Sequence, residues 1–290
     1  MAKARILIQL DTDVHPSVFD GVVAVDAGVE HLFQYGNVKP SDVRALVHGA
    51  MFTRGPSDLH STAIFVGGSD VAAGRSVAEA ARMACFDPFR VSIMQDSNGC
   101  NSTAAAAVLC AAKHVDFSKA KALVLAGTGA VGQAVCRLVA SQGGVAILGS
   151  RKLQRAVECC EALASQGVRS ELVTPVASDD QAAFEQALES VDVVFGCGAA
   201  GVELLSSEQL ARAEKLCAAI DLNAVPPAGI SGILVTDHAA QRKKRFDYGA
   251  LGVGGLKMKI HKAAIRQLFA ANKHFIDAPR MMEIGRALLD

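Results

Sequence analysis

Residues 121–132 read KALVLAGTGAVG, an apolar run of strand length that passes directly into Gly127-x-Gly129-x-x-Gly132 and then into a helical pattern. Gly127 permits a tight turn, Gly129 lets backbone N–H groups approach a pyrophosphate, and Gly132 lets the helix pack against its strand. The helix N-terminus adds partial positive charge facing the phosphates. The glycine spacing alone is a weak signal, because a structural turn that binds nothing reads the same way. The context carries more: a helix over residues 131–141 and a further strand over 145–148 complete the unit that a dinucleotide site requires. Gly127, Thr128, Gly129, Ala130, Val131 and Gly132 are therefore candidate cofactor residues.

The second strand of this unit ends in Ser150, Arg151 and Lys152. Sites for NAD usually carry an acidic residue there, which binds the ribose 2′-hydroxyl. A hydroxyl and two cations suit a 2′-phosphate instead, gripped by the forked guanidinium of Arg151. The expected cofactor is NADP, with NAD as a secondary one. The alternative is that Arg151 and Lys152 only solvate a helix start, where cations without an anion are mildly unfavourable.

The rest of the chain repeats the same rhythm. Strands are expected over residues 4–10, 62–66 and 91–95, with a short apolar stretch at 31–35, and helices over 17–27, 41–50, 70–85 and 101–114. Ser17 and Ser41 are the expected caps. Further on, helices are expected over 152–165 and 180–188, strands over 171–174, 191–195 and 218–222, and a last helix over 256–271 after a glycine-rich turn. Strands that are apolar on both faces and alternate with helices imply parallel sheets covered on both sides. The fold class is α/β in two domains: an N-terminal parallel α/β substrate domain at 1–115 and a Rossmann-type domain at 116–255, with residues 256–290 free to pack back on the first. The chain is 51% hydrophobic, enough for two cores, and its 29 basic and 29 acidic residues leave no basic surplus for nucleic acid. No apolar stretch approaches the length of a membrane span, and the N-terminus shows no signal-peptide pattern. The eight scattered cysteines form no CxxC pair and suit a reducing compartment. The expected location is cytoplasmic, with no membrane partner.

Several patterns are decoys. Tyr35-x-x-x-Lys39 matches a short-chain dehydrogenase dyad as text, but Gly36, Asn37 and Pro40 break a helix there. The eight histidines form no HxxxH or HExxH set, so no metal site is expected. Three polar clusters remain: Asp11-Thr12-Asp13 with Ser17 to Asp20, Asp96 to Thr103, and Gly249 to His261. The first two follow strands, where open α/β sheets bind ligands; turn and cap chemistry is the bland account of each. Lys257 and His261 share a helix face, which a solvated basic face would also explain.

Taken together, LDTDVHPSVFD, FVGGSDVAAG, MQDSNGCNSTAAAA, LAGTGAVG, NAVPPAGI and GALGVGGLKMKIHK resemble the NADP-dependent methylene-tetrahydromethanopterin dehydrogenases of methylotrophic bacteria. The resemblance runs from about Ile6 to about Phe269. It implies a fold related to the methylene-tetrahydrofolate dehydrogenases and a homo-oligomer, a trimer or higher. It also implies an active-site crevice between the two domains, to which a neighbouring subunit contributes. By motif it makes Phe19, Thr103, Lys257 and His261 active-site residues and assigns Gly127–Gly132 with Ser150, Arg151 and Lys152 to NADP. Beside these, Asp20 is a further catalytic candidate, Asp96, Asn98 and Asn101 are substrate candidates, and Asn223 is a cofactor candidate. The chain departs from the pattern at Cys100, where a smaller Ser-like residue is expected.

The implied reaction moves a hydride from a methylene carbon, held between two nitrogens, to the nicotinamide, and leaves a methenyl cation. No proton need move, so the absence of an acid–base dyad is no objection. Phe19 would stack beside the pterin or nicotinamide, Thr103 would hydrogen-bond the pterin, and Asp20 or Asp96 would favour the cation. Lys257 would anchor a pterin carbonyl or work partly deprotonated by burial. The place in metabolism would be one-carbon metabolism and formaldehyde oxidation, with methylene-tetrahydrofolate as a further substrate. The rival expectations are a dehydrogenase of another small substrate, such as shikimate, and an NADP-binding regulatory protein without catalysis.

Overall fold

The computed structural model describes residues 3–289. The chain forms two α/β units. The first comprises the chain up to Ser102 together with the segment from Met258 onward, and the second is Thr103–Lys257.

The first unit contains β1 (Ile6–Asp11), α1 (Val18–Asp26), β2 (His31–Tyr35), α2 (Pro40–Met51), β3 (Thr62–Gly67), α3 (Val71–Ala84) and β4 (Ser92–Gln95). Helix α4 (Cys100–Ala112) leads out of it into the second unit. The strand order is β12-β4-β3-β1-β2, where β12 is Phe275–Ile276, and every pairing is parallel. Ile8, Leu10, Ile64, Val66 and Ile93 of the sheet pack against Val43, Val47, Val77 and Ala81 of α2 and α3. The expected Ser17 cap forms, its hydroxyl accepting from Asp20 N, and α3 is capped by Asp70, which accepts from Ala72 N and Ala73 N. The cap of α2 differs from the expected Ser41. Pro40 occupies the first turn and Lys39 is the cap, its N–H donating to the Asp42 carboxylate over 3.0 Å. A proline has no N–H to satisfy there, so it starts the helix one residue early.

The second unit contains β5 (Lys121–Leu125), α5 (Ala130–Ser141), β6 (Val145–Ser150), α6 (Leu153–Ser165), β7 (Val173–Ala177), α7 (Gln181–Ser190), β8 (Val193–Gly196), α8 (Ser207–Arg212) and β9 (Ala218–Asp221). It closes with the β10 (His238–Arg242) and β11 (Arg245–Tyr248) hairpin. The order is β10-β11-β9-β8-β5-β6-β7, parallel except at the β10–β11 edge. Its core joins Leu123, Leu125, Val194 and Ala219 to Phe184, Leu188 and Ile230. The strand expected at 171–174 begins two residues later, after a short 3-10 turn at Ser170–Leu172. Pro175 pairs with Leu148 inside it, which is tolerated because β7 is an edge strand.

Helix α9 (Ala250–Leu268) starts inside the glycine-rich stretch that was expected to be a turn. Gly249, just before it, and Gly252 serve close packing instead, while Gly254 and Gly255 meet nothing within 4 Å. A Cβ at Gly252 would lie 1.8 Å from the Asp237 carbonyl oxygen, and one at Gly249 would lie 2.0 Å from that of Leu234. The last helix, α10 (Ala278–Ala287), together with α8, β12 and the hairpin, goes beyond the sequence expectations. Among the described residues, no helix is long and apolar enough to cross a membrane, and no group of three or more His, Cys, Asp or Glu could hold a metal ion.

Candidate functional site

Each sheet has a crossover at which its parallel strand order reverses, and ligands of open α/β sheets bind outside the strand ends at that point. In the second unit the reversal lies between β5 and β8. A cavity of about 370 Å³ opens there, lined by Ala126, Thr128 and Gly129 of the glycine turn and by Cys197, Gly198 and Ala199 after β8. Gly149, Ser150 and Arg151 line it from the end of β6, Arg155 from the first turn of α6, and Ser178 from beyond β7.

The turn fits a dinucleotide. A Cβ at Gly132 would stand 2.6 Å from the Gly127 Cα, and one at Gly127 would stand 2.8 Å from the Leu148 Cγ, so both positions are closed to side chains. The nearest neighbour to a Cβ at Gly129 is 3.4 Å away, so what glycine preserves there is space on the cavity side. The lining holds two guanidiniums and no carboxylate. A nicotinamide dinucleotide would lie on this turn, its pyrophosphate at the start of α5 and its adenosine ribose near Ser150 and Arg151.

Two expected cofactor residues are engaged elsewhere. Lys152 Nζ donates to Asp179 Oδ2 over 2.7 Å. Asn223 Nδ2 donates to the Pro227 carbonyl over 2.8 Å, while its Oδ1 accepts from Val225 N at 3.0 Å and Gly201 N at 3.3 Å, tying together the loops after β8 and β9. Arg155 and Ser178 were missed by sequence reasoning. Arg155 stands four residues after Arg151, a spacing that could have flagged it. Ser178 was hidden because the preceding strand was placed too early in the chain.

In the first unit the order reverses between β1 and β3, whose last residues Asp11 and Gly67 pair in register. The buried Asp11 carboxylate accepts from Asp13 N at 2.9 Å, Ser17 N at 3.1 Å and Gln9 Nε2 at 3.1 Å. It thereby sets the start of α1, which carries Phe19 and Asp20 in its first turn. Asp13 in turn accepts from Ser69 N and Ser69 Oγ at 2.9 and 2.8 Å, joining the loops after β1 and β3. Phe19 is 51% exposed. The Thr12 hydroxyl is buried without a hydrogen-bond partner among the described residues, beside Gly68 at φ +108°.

The next strand end carries Asp96, which is buried with His261 of α9. His261 Nδ1 lies 2.9 Å from Asp96 Oδ2, and Ser102 N donates to Asp96 Oδ1 over 3.0 Å. Burial alone would raise the Asp96 pKa, but the His261 hydrogen bond and charge and the Ser102 N–H outweigh it and hold the carboxyl below its ordinary range. Asn98 adopts a left-handed conformation, and its N–H donates to the Gly68 carbonyl over 2.7 Å. Asn101 Nδ2 donates to the Gln95 carbonyl over 2.7 Å. The Cys100 thiol is pushed up to about 12, first by burial and then by the Asp96 charge, which leaves it unreactive. Phe19, Asp20, Asp96, Asn98, Asn101 and His261 thus belong to the first unit, whereas Thr103 and Lys257 are the first and last residues of the second.

Residues 18–98 match the family described as “Methylene-tetrahydromethanopterin dehydrogenase, N-terminal”. The chain is 42% identical over 286 residues to the “Bifunctional protein MdtA” of Methylorubrum extorquens, covering 98% of this chain and 99% of that one. It is 31% identical over 279 residues to the “NAD(P)-dependent methylenetetrahydromethanopterin dehydrogenase” of the same organism, covering 93% and 94%. Among solved structures, shikimate 5-dehydrogenase from Listeria monocytogenes, in complex with shikimate and NAD, superposes with a TM-score of 0.54 at 14% identity over 97% of this chain and 96% of that one. At that identity the likeness is one of fold.

Proposed function

The chain belongs to the methylene-tetrahydromethanopterin dehydrogenase family, and on that premise we propose that it oxidises methylene-tetrahydromethanopterin to the methenyl cation with NADP+ as hydride acceptor. The observation that carries the cofactor half is the cavity at the end of β6, where Ser150, Arg151 and Arg155 stand and no carboxylate does. A ribose 2′-phosphate finds two charge-assisted donors there, while the ribose hydroxyl pair of NAD finds no acidic partner.

The bound nicotinamide supplies the hydride acceptor. This chain's residues hold the donor carbon at about 3–3.5 Å from it and favour the positive charge that develops. Phe19 offers an exposed ring for stacking on the pterin or nicotinamide. Thr103 hydrogen-bonds the pterin, and Lys257, one helical turn before His261 on α9, anchors a pterin carbonyl. Asp96, ionised and buried, supplies negative charge that favours the cation, and Asp20 adds to it from the first turn of α1. Asn98 and Asn101 shape the strand end against which the pterin lies.

The reaction belongs to one-carbon metabolism, and formaldehyde oxidation in a methylotroph is the setting that needs it. Among the described residues no cysteine forms a disulfide, which suits a reducing, cytoplasmic location. Homo-oligomerisation is supported by Val18, Val22 and Val25 of α1, which lie exposed, and by Phe33 and Tyr35 on the open edge strand β2.

The test is reduction of NADP+ and NAD+ by the purified protein with methylene-tetrahydromethanopterin and methylene-tetrahydrofolate in parallel. Turnover is expected fastest with NADP+ and the methanopterin substrate. Tight NADP+ binding without turnover on either pterin would overturn the reading in favour of a regulatory protein.

A further inference from the structure

The buried pair of Asp96 and His261 is more than a charge beside the substrate, because it determines which ring nitrogen of the histidine carries the proton. Asp96 is ionised, and an ionised carboxylate can only accept hydrogen bonds. The 2.9 Å contact with His261 Nδ1 therefore requires a proton on Nδ1. In neutral imidazole the other nitrogen then carries only a lone pair. Nε2 of His261 is buried and has no partner among the described residues. The histidine is fully enclosed and its ring centroid lies 5.7 Å from that of Phe65, on β3 beside the strand reversal. A buried acceptor without a donor costs free energy until a donor reaches it. The carboxylate is itself held in place: its Oδ1 takes the Ser102 N–H at the start of α4, so the pair cannot exchange roles by rotation.

We propose that Asp96 is a positioning residue that holds His261 as the Nδ1–H tautomer, so that Nε2 is a dedicated acceptor for an N–H group of the substrate's reduced pterin ring. The inference rests on the functional reading above and deepens it. A reduced pterin carries several N–H donors on its pyrimidinone and tetrahydropyrazine rings, and a fixed acceptor orients such a ring as well as binding it.

Asp96→Asn tests the tautomer directly. The amide oxygen can still accept from Ser102 N, which turns the amide N–H toward Nδ1 and shifts the imidazole proton to Nε2. Donor then faces donor at the pterin. The expected result is a rise of roughly tenfold or more in KM for the methylene-pterin, with more of the loss in KM than in kcat and with the NADP+ dissociation constant held. A structural role alone would move kcat and the NADP+ dissociation constant as well. A second measurement needs no variant: in wild-type protein labelled with ¹⁵N-histidine, the His261 Nε2 resonance should be of the unprotonated, pyridine type and should shift when tetrahydromethanopterin is added. A protonated Nε2, an Nε2 resonance unmoved by bound pterin, or an unchanged KM in the variant would each overturn this inference while wild-type turnover kept the functional reading. Wild-type protein that neither binds nor turns over a methylene-pterin would overturn both.

Discussion

Lys152 Nζ sits 2.7 Å from Asp179 Oδ2, so the second cation of the Ser-Arg-Lys segment is tied to the loop after β7. The pair is an exposed one, with side chains 71% and 47% accessible, and such pairs contribute about 0–1 kcal/mol. Its effect is on which side chains are left to meet a 2′-phosphate. Arg151 and Arg155, which line the cavity, are left for that role. Arg155→Ala should raise KM for NADP+ by roughly ten- to a hundredfold, matching the loss of a charge-assisted contact, and leave KM for NAD+ nearly unchanged. Lys152→Ala should change either value less than about threefold. Steady-state kinetics with both nucleotides distinguishes the two residues; equal effects on NAD+ and NADP+ would mean that Arg155 does not meet the phosphate.

The glycines of the cofactor turn should separate into two kinds. Gly132→Ala forces a Cβ to within 2.6 Å of the Gly127 Cα, a backbone contact that cannot yield cheaply. A stability loss of about 1–3 kcal/mol is expected by chemical denaturation. Gly129→Ala meets nothing closer than 3.4 Å, so the fold should survive while the dinucleotide binds more weakly. Calorimetric titration with NADP+ on a fully folded Gly129→Ala protein checks this, and undiminished affinity would count against the proposed pyrophosphate position.

Lys257→Ala should reduce kcat/KM for the methylene-pterin by roughly thirtyfold, the size of one hydrogen bond from a charged donor, about 2 kcal/mol. NADP+ affinity should hold, because the cofactor cavity is lined from other elements. Undiminished turnover would remove Lys257 from the mechanism.

The Asp96–His261 pair should also be visible in acid denaturation. Asp96 titrates below its ordinary range in the folded protein, so its contribution to stability is complete above the unfolded carboxyl value of about 3.9 and is lost as pH falls through the lowered folded value. Asp96→Asn has no carboxyl to protonate there. The variant should lose less stability than wild type between about pH 5 and the acid limit, measured by urea denaturation at each pH. Parallel pH profiles would show that the pair contributes nothing to acid sensitivity.

Much of this architecture was readable in the chain. Alternating apolar runs and helical patterns placed most strands and helices of both sheets, because burial on two faces leaves a continuous hydrophobic signature. The strand–glycine–helix unit located the tight glycine turn after β5, since its steric demands are local. Segments whose structure answers to distant neighbours were less legible. The β10–β11 hairpin carries the polar run Arg242 to Arg245, whose two arginines pair with Asp237 and Asp247. The start of α9 reads as a loop because Gly249 and Gly252 answer to the carbonyls of Leu234 and Asp237, not to a turn.

By itself, then, the sequence determined the fold class, the glycine turn after β5, the absence of an acidic residue after β6 and the family pattern that runs the length of the chain. These features depend on residue type and short-range spacing, which are local properties. Tertiary structure alone decided that Lys152 goes to Asp179 while Arg155 lines the cavity, and that Asp96 finds His261 across 165 residues of chain. Those partnerships depend on which strand ends lie side by side and on how a buried charge is satisfied. Neither is encoded at any fixed spacing, because sheet order brings together residues that the chain keeps far apart.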